Sequence, residues 1–416
     1  MIPRVEQLNS SLGRVKVHGR RKEPVSGVSS KDAWGSGWDA PDRLVCTDCV
    51  GEEYLVVAGG GVGSGEGKCD YCDGGRFGPG PVSLIVELVA PALQRYFADP
   101  GKAGAIRDEG EWLIDTVSTE EALRELWPDC GTELLRDVAN AFHDTAWVPC
   151  NGHFLEMHEH KRFTHTWHHF AKMAKHRTRY FLDRKEREFG IDPWMEFPTP
   201  AEFLKRIGDL VNELSLLRSL EKHETLYRVR QEGDCERFDR FRDLGPPPDE
   251  KATAGRMNPA GIAYFYLARE PETAVGEVVN KPSARIAIGK FRTKDELVVL
   301  DLTYLPEPPS VFDLDQYDRY QAIMFLQDFV DQISRPVAKD GMEHIEYVPS
   351  QIVCEYLAQV FARRHEMRPV DGIAYRSTVV PDGQNVVLFP PAGRRRWEDL
   401  AELAGTDRIP WTTVGV

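Results

Sequence analysis

The sequence lacks a long apolar run, and no stretch approaches the roughly 18 consecutive apolar residues that a membrane-spanning helix needs. Its first residues, Met1 to Glu23, are basic but have no apolar core of the kind found in secretory signals. We therefore expect a cytoplasmic protein that does not associate with membranes. At 416 residues the chain is too long for one ordinary core, which predicts about two or three domains.

An excess of basic residues is also missing, since the formal net charge is −14. Proteins that bind nucleic acid usually present a basic face to the phosphates. The charge balance therefore argues against a large nucleic-acid interface. It does not exclude a local one, and nucleic acid as a partner stays open.

The eight cysteines are too unevenly spread for a disulfide framework in a cytoplasmic protein. Four of them form two CxxC pairs, Cys46-Thr-Asp-Cys49 and Cys69-Asp-Tyr-Cys72, with nineteen residues between the pairs. Each pair can bind one edge of a tetrahedral ion, and four thiolates close its coordination shell. The spacing predicts a structural Zn²⁺ site at Cys46, Cys49, Cys69 and Cys72. Four unrelated buried thiols are the alternative.

Two common motifs are absent. The glycine-rich segment between the cysteine pairs fails as a phosphate-binding loop, because Val62 stands where its first glycine should be and Cys69 where its Ser or Thr should be. No HExxH occurs, although seven of the twelve histidines lie between His153 and His176. His165 and His169 could share a helix face as metal ligands, but the surrounding lysines and arginines favour a solvated basic face. That face could also contact a phosphate backbone or an acidic partner.

The hydrophobic pattern divides the chain into a helical part and a strand-rich part. Apolar residues at three- and four-residue spacing predict helices at Leu84–Phe97, Thr119–Trp127, Thr132–His143, Thr166–Asp183 and Ala201–Lys222. Later runs predict short strands at Thr225–Arg230, Ile262–Ala268, Arg285–Phe291, Leu297–Leu302, Gly372–Arg376 and Val386–Phe389. Helices are expected between them at Pro271–Asn280, Gln316–Ile333 and Ser350–Arg364, and a hairpin turn at Pro381-Asp-Gly383.

These patterns predict a multidomain α+β protein. We divide it into a flexible N-terminal segment (1–40), a four-cysteine zinc segment (41–80), an α-helical domain (81–223), an α+β domain of mostly antiparallel short strands (224–400) and a C-terminal tail (401–416).

Polar residues that could bind a charged ligand recur beside the predicted strands of residues 224–400. An arginine pair lies on one strand face, and a glycine-bounded turn places a further arginine before an apolar strand. A glutamate follows on a short helix, and a serine ends a later strand. Each of these has an ordinary structural explanation, such as a solvated helix glutamate or a turn serine. The set comprises Arg228, Arg230, Arg256, Glu277, Ser377 and Asn385.

From Leu226 to Phe389, the order and spacing of these residues resemble the RES family, which is named for an arginine, a glutamate and a serine. The preceding residues resemble the zinc-knuckle and HEPN-like helical segments that are fused ahead of RES domains. The resemblance implies a fold like that of ADP-ribosyltransferases and an activity on NAD. It assigns catalysis to Glu277, Arg228 and Ser377. It assigns substrate binding to Arg228, Arg256, Tyr266, Ser377 and Asn385. Either Tyr264 or Tyr266 could be the tyrosine that faces the pocket.

The chemistry of NAD offers a separate reason for this set. Arg228 and Arg256 could bind the pyrophosphate through planar bidentate contacts. Nicotinamide leaves as a neutral group, so positive charge builds on the ribose, and a carboxylate such as Glu277 can stabilise it. Ser377 and Asn385 would bond the ribose or the carboxamide, and the tyrosine would stack or line the pocket.

The resemblance favours a NAD glycohydrolase or phosphorylase, with an ADP-ribosyltransferase as a close alternative because only the acceptor differs. Arg218 and His223 have the Rx4H spacing of HEPN ribonucleases, so a ribonuclease whose RES half senses NAD remains a third hypothesis. Family analogy further suggests a bacterial toxin or anti-phage effector, which would form homo-oligomers and have an antitoxin or another regulatory protein as partner.

Overall fold

The computed structural model describes most of the chain, and every structural statement below concerns the described residues. They are residues 39–60, 67–72, 78–101, 103–108, 111–143, 145–150, 157–180, 182, 198–233, 237–278, 285–335, 341–365, 367–393 and 395–410. The expected flexible N-terminal segment (1–40) falls almost wholly outside them.

The first half of the chain is mainly helical, with short two- to four-residue strands between its helices. Its elements in order are β1 (Leu44–Val45), α1 (Thr47–Val50), α2 (Glu53–Ala58), β2 (Gly80–Pro81), α3 (Val82–Tyr96), β3 (Phe97–Ala98), β4 (Arg107–Asp108), β5 (Glu111–Trp112), β6 (Val117–Ser118), α4 (Thr119–Leu126), α5 (Thr132–Asn140), β7 (Ala146–Pro149), α6 (Glu159–His176), α7 (Pro200–Glu213) and β8 (Leu217–Leu220).

Two helices begin where the sequence indicates. Ser118 caps α4 and Thr199 caps α7, and each hydroxyl accepts a hydrogen bond from the backbone amide three residues later, from Glu121 and Glu202. Both glutamates bond back to the cap residue, which completes a capping box. The expected helix at Thr166–Asp183 is displaced, since α6 begins at Glu159 and ends at His176.

The predicted helix Ala201–Lys222 is wrong in its last third. Helix α7 ends at Glu213, Ser215 takes a positive φ of 52°, and Leu217–Leu220 forms strand β8. Leucines three residues apart predict one face of a helix, but in strand β8 Leu217 and Leu220 pack into different cores, and pairing with a neighbouring strand selects this structure. Strand β8 pairs antiparallel with Leu297–Leu300 at one edge of the large sheet.

The second half of the chain supplies the other seven strands of an eight-stranded sheet. Its elements are β9 (Thr225–Glu232), α8 (Phe241–Leu244), β10 (Phe265–Ala268), α9 (Pro271–Val278), β11 (Arg285–Thr293), β12 (Leu297–Asp301), α10 (Tyr317–Ser334), α11 (Glu343–Glu346), α12 (Val348–Tyr356), α13 (Ala362–Arg364), β13 (Gly372–Arg376), β14 (Gln384–Leu388), α14 (Trp397–Leu400) and β15 (Ala401–Pro410). Short 3-10 turns lie at Asp249–Lys251 and Leu314–Gln316, and a π-helical turn at Leu357–Phe361 continues α12.

The strand order is β15-β11-β9-β10-β14-β13-β12-β8. As expected, the described pairings are antiparallel with one exception, β12 beside β13. The Pro381-Asp-Gly383 turn joins β13 to β14, with Asp382 at a φ of 59°. We expected a tail from residue 401, whereas Ala401–Pro410 forms edge strand β15 along the whole of β11.

Two large hydrophobic cores organise the molecule. The N-terminal core joins α3, α4 and α5 and takes in Phe312 from the second half of the chain. The shared core lies on one face of the sheet, where Trp167 and Phe170 of α6 and Phe203 of α7 pack with Phe325 and Phe329 of α10. Helices α6 and α7 are therefore part of the packing of the sheet, although they precede it in sequence.

Among the helices of the described ranges, none combines the length and apolar character needed to cross a bilayer.

Candidate functional site

A cavity of about 210 Å³ lies between β9, β10, α9 and the β13–β14 pair. Four of the residues selected from the sequence line it, and they come from four different elements. The polar and aromatic lining consists of Tyr227, Arg228, Tyr266, Glu277, Tyr375 and Asn385. Residues far apart in the chain thus meet beside the central strands of the sheet.

Glu277 lies near the end of α9, and two side chains hold its carboxylate. Its Oε1 accepts a 2.7 Å hydrogen bond from Ser377 Oγ and another of 2.7 Å from Asn385 Nδ2. Ser377 Oγ itself accepts from the backbone amides of Val379 and Val380, at 3.1 and 3.0 Å. Because a hydroxyl has a single proton, these bonds direct that proton to Glu277.

Close packing brings the turn after β13 against α9. A side chain on Gly276 would clash with Val380, and a Cβ on Gly383 would lie 2.5 Å from Thr273 Oγ1. The carboxylate of Glu270 accepts from Thr273 Oγ1 at 2.8 Å and from the Gln384 amide at 3.0 Å. These contacts fix the distance between Glu277 on the helix and Ser377 on the turn.

Arg228, on β9, has a buried nitrogen without a hydrogen-bond partner among the described residues. Its Nη1 is buried and makes no hydrogen bond within the described part of the chain, and its guanidinium lies 5.6 Å from the Phe265 ring centre. Burial, with a smaller contribution from Arg230, lowers the pKa of Arg228 to about 9. An unpaired buried cation is costly, so this position favours an anionic group of a ligand.

The packing around β10 decides which of Tyr264 and Tyr266 lines the cavity. Tyr266 lines the cavity, while Tyr264 packs 5.4 Å from the ring of Phe389 in the shared core. The Tyr266 hydroxyl accepts from the Met257 amide at 3.1 Å and donates to Asn258 Oδ1 at 2.8 Å, and burial raises its pKa. Its hydroxyl is thus engaged in hydrogen bonds within the protein.

Arg256 does not line this cavity, although its charge acts on the hydroxyl groups of Tyr266 and Tyr375, which do. Its Nη1 donates to the Ser334 carbonyl, and the residue lines a different cleft of about 760 Å³. The structure therefore brings Arg228, Tyr266, Glu277, Ser377 and Asn385 together and leaves Arg256 outside.

Tyr227 and Tyr375 were not selected from the sequence, yet both line the cavity. Tyr375 is 7% exposed, and burial raises the pKa of its hydroxyl, with the charge of Glu277 acting in the same direction. The sequence offered a signal for both tyrosines. Tyr227 directly precedes Arg228, and Tyr375 directly precedes Arg376, each within a predicted strand.

The four cysteines of the CxxC pairs converge at the start of the chain. Their sulfur atoms all lie within 4.8 Å of one another, with Cys46–Cys72 at 3.6 Å and Cys49–Cys69 at 3.8 Å. Thiolates around a tetrahedral ion with metal–sulfur bonds of about 2.3 Å lie about 3.8 Å apart. Backbone amides of Cys46 and Tyr71 also point at Cys69 Sγ. The group could therefore bind a metal ion.

The remaining candidates do not form sites in the described residues. No metal-binding group of three or more ligands there includes His165 or His169. Arg218 lies on β8 and donates to the Ser215 and Leu217 carbonyls, while His223 lies in the following turn with a φ of 71°. The Rx4H spacing thus does not place these two residues on one helix.

Two family models match parts of the chain. Residues 225–411 match the RES domain, which includes strand β15. The chain contains a RES domain. Residues 63–188 match HEPN/RES N-terminal domain 1, so Arg218 and His223 lie outside both matches. The RES assignment supports a function related to NAD, and RES domains are associated with toxin–antitoxin systems. No curated protein matches the chain.

Proposed function

We propose that the RES domain consumes NAD by cleaving the bond between nicotinamide and ribose, with water or phosphate as acceptor. The observation that carries the proposal is the paired hydrogen bonding of Glu277 Oε1 by Ser377 and Asn385 at the mouth of a cavity beside Arg228. A carboxylate held in this way is oriented before substrate arrives, which is the condition for electrostatic stabilisation of a transition state.

In this scheme Glu277 acts on the nicotinamide ribose. Its Oε1 is occupied, whereas Oε2 has no hydrogen-bond partner within the described residues, so Oε2 is available to a ribose hydroxyl. The bond between ribose C1′ and the pyridinium nitrogen breaks, and its electron pair stays with neutral nicotinamide. The positive charge then passes to the ribose, where the carboxylate stabilises it. Water or phosphate bonds to C1′ and loses a proton to solvent.

The other lining residues bind the substrate. Arg228 binds the pyrophosphate, because an anion there neutralises a buried cation whose Nη1 has no partner among the residues that the structure describes. The rings of Tyr266 and Tyr375 pack against the nicotinamide end. The cavity of about 210 Å³ is smaller than the roughly 300–1,000 Å³ of pockets that enclose a drug-sized ligand, so it accepts one end of the dinucleotide.

The same site would serve an ADP-ribosyltransferase, and the product distinguishes the two. ADP-ribose indicates water as acceptor, a phosphorylated ADP-ribose indicates phosphate, and ADP-ribose attached to a macromolecule indicates transfer.

We further propose that the cysteine group binds structural Zn²⁺, because four thiolates at tetrahedral spacing leave no open position. By analogy with the family, we also propose that the protein is a toxin or anti-phage effector in the cytoplasm. It would form homo-oligomers and have an antitoxin as partner.

The test is a time course of NAD loss and free nicotinamide with the purified full chain, with and without phosphate. We expect wild type to release nicotinamide and Glu277→Gln to be slower by about 10²–10³-fold. Glu272→Gln is the matched control, because Glu272 is an exposed glutamate on the same helix. If wild type leaves NAD intact even with phosphate or cell lysate, or if Glu277→Gln equals wild type, the proposal fails.

A further inference from the structure

Glu270 is a second acidic residue near the proposed catalytic carboxylate, and it stands directly before helix α9. Its backbone carbonyl accepts a 3.1 Å hydrogen bond from the Ala274 amide, as the carbonyl of an N-cap residue does. Glu270 therefore caps the helix that begins at Pro271. Glu277, which the proposed function places at the nicotinamide ribose, lies on the same helix about two turns later.

The Glu270 side chain links the start of this helix to the start of strand β14. Its Oε2 accepts a 2.8 Å hydrogen bond from Thr273 Oγ1, in the first turn of α9, and a 3.0 Å hydrogen bond from the backbone amide of Gln384. The Gln384 carbonyl in turn accepts from the Arg269 amide at 2.9 Å. Both backbone groups of Gln384 are thus held by the two residues that precede α9.

The residue after Gln384 is Asn385, whose Nδ2 donates to Glu277 Oε1 at 2.7 Å. A movement of the start of β14 relative to α9 would change this distance, and a hydrogen bond weakens steeply when its geometry is lost. The packing beside the link is close, because Thr273 is fully buried and its hydroxyl lies against Gly383. The link through Glu270 therefore fixes where Asn385 meets Glu277.

The contacts of Glu270 differ from those of a solvated or an ion-paired glutamate. Its carboxylate forms no salt bridge within the described ranges, and the neighbouring Arg269 pairs with Glu224 instead. The residue is half-buried at the amino end of α9, where a helix favours negative charge, and it does not line the cavity at Glu277. We propose that Glu270 is a positioning residue that acts on Glu277 through Asn385. This inference rests on the proposed cleavage of NAD.

The first measurement compares nicotinamide release by Glu270→Ala and Glu270→Gln in the purified full chain. Glu270→Ala loses both hydrogen bonds and should be about 10-fold slower in kcat with KM within about twofold of wild type, because the link positions a group that acts in the transition state. Glu270→Gln keeps an oxygen that accepts from both donors and should stay within about threefold of wild type. Glu272→Ala, which removes an exposed acid from the same helical turn, is the matched control and should equal wild type.

A double-mutant cycle shows whether Glu270 acts through Asn385. Asn385→Ala removes one hydrogen bond to Glu277 and should itself lower kcat by about 10-fold. In that background Glu270→Ala should cost less than about a further twofold, because two residues that act through one contact have non-additive effects. A double variant slowed by the product of the two single effects would overturn the positioning role.

Hydrogen exchange measured by mass spectrometry gives a readout that does not need NAD. Glu270 protects the backbone amide of Gln384, so the peptide that contains this amide should exchange about 10-fold faster there in Glu270→Ala than in wild type or Glu270→Gln. If Glu270→Ala does not fold, Thr273→Val, which removes one donor to the same carboxylate, replaces it and should change kcat and exchange in the same direction.

The outcomes separate this inference from the proposed function. Unchanged exchange at Gln384, or an active wild type with the same kcat as Glu270→Ala, would overturn the role of Glu270 and leave the cleavage of NAD standing. A wild type that leaves NAD intact would overturn the proposed function, while the exchange measurement would still decide whether Glu270 holds the start of β14.

Discussion

The hydroxyl of Ser377 donates a 2.7 Å hydrogen bond to the carboxylate of Glu277, although 100 positions separate the two residues in the chain. The bond links the turn after β13 to helix α9. Ser377 does not need to touch a substrate in order to act on one, since it sets the direction of the carboxylate.

Ser377→Ala should therefore lower the rate of nicotinamide release by about 10-fold, the value of one hydrogen bond to a charged group. The loss should appear in kcat more than in KM, because the bond orients a group that acts in the transition state. Thr378→Ala, which removes the neighbouring exposed hydroxyl, is the control and should resemble wild type. Equal rates for both variants would contradict a positioning role for Ser377.

Arg228→Met should stabilise the fold while weakening NAD binding. The guanidinium has a buried nitrogen without a partner in the described part of the chain, so replacing it with an apolar side chain should raise the free energy of unfolding by about 1–2 kcal/mol. The same change removes the cation proposed for the pyrophosphate and should raise the Kd for NAD by about 10-fold or more. Denaturant unfolding and equilibrium binding give the two values.

Arg230→Met is the control on the same strand. The Arg230 Nη2 donates to the Gly245 carbonyl at 3.1 Å, so its loss should destabilise the fold rather than stabilise it. A destabilised Arg228→Met variant would show that the buried cation is satisfied in the free protein.

Removing the metal should unfold the start of the chain and spare the sheet. The purified protein should contain about one Zn²⁺ per chain, and a chelator or Cys49→Ser should remove it. Val45, Val50 and Tyr71 lie beside the ligands and contact the N-terminal core, so the melting temperature of that core should fall. Cys150→Ala, outside the cysteine group, should retain the metal. A protein purified without metal and unaffected by the chelator would contradict the zinc site.

Stability should decline with acid through the burial of His158. Burial lowers the pKa of this histidine to about 4, below the 6.5 of an exposed one. The unfolded chain therefore binds a proton at His158 more readily than the folded chain. The contribution of neutral His158 to the free energy of unfolding is complete above pH 6.5 and is lost as the pH falls toward 4. The loss in the free energy of unfolding is up to about 3 kcal/mol.

His158→Asn should flatten this pH dependence, measured as the free energy of unfolding between pH 7 and 4. His158 bonds the Tyr317 hydroxyl at 2.7 Å, so the variant should also be less stable at neutral pH. His165→Gln, at an exposed position on α6, should keep the wild-type slope. An unchanged slope in His158→Asn would assign the acid sensitivity to another group.

Most of the secondary structure and most members of the candidate site could be predicted from local sequence patterns and from the resemblance to the RES family. The strands at Thr225, Gly372 and Gln384 and the helix at Pro271 follow from local periodicity and turn residues, which act within a few positions along the chain. Arg228, Glu277 and Ser377 were selected because their order and spacing resemble the RES family. The cysteine spacing likewise predicted the cluster that the structure contains.

Other features depend on residues that are far away in the sequence, so only the tertiary structure shows them. Leu217–Leu220 is a strand because β12 pairs with it, and Ala401–Pro410 is a strand because β11 does. The direction of Arg256 depends on Ser334 and on the packing of α6 against the sheet, and that packing also forms the cleft of about 760 Å³ that Arg256 lines. Local pattern cannot reveal these contacts, since their free energy comes from residues that are far apart in the chain and meet only when it folds.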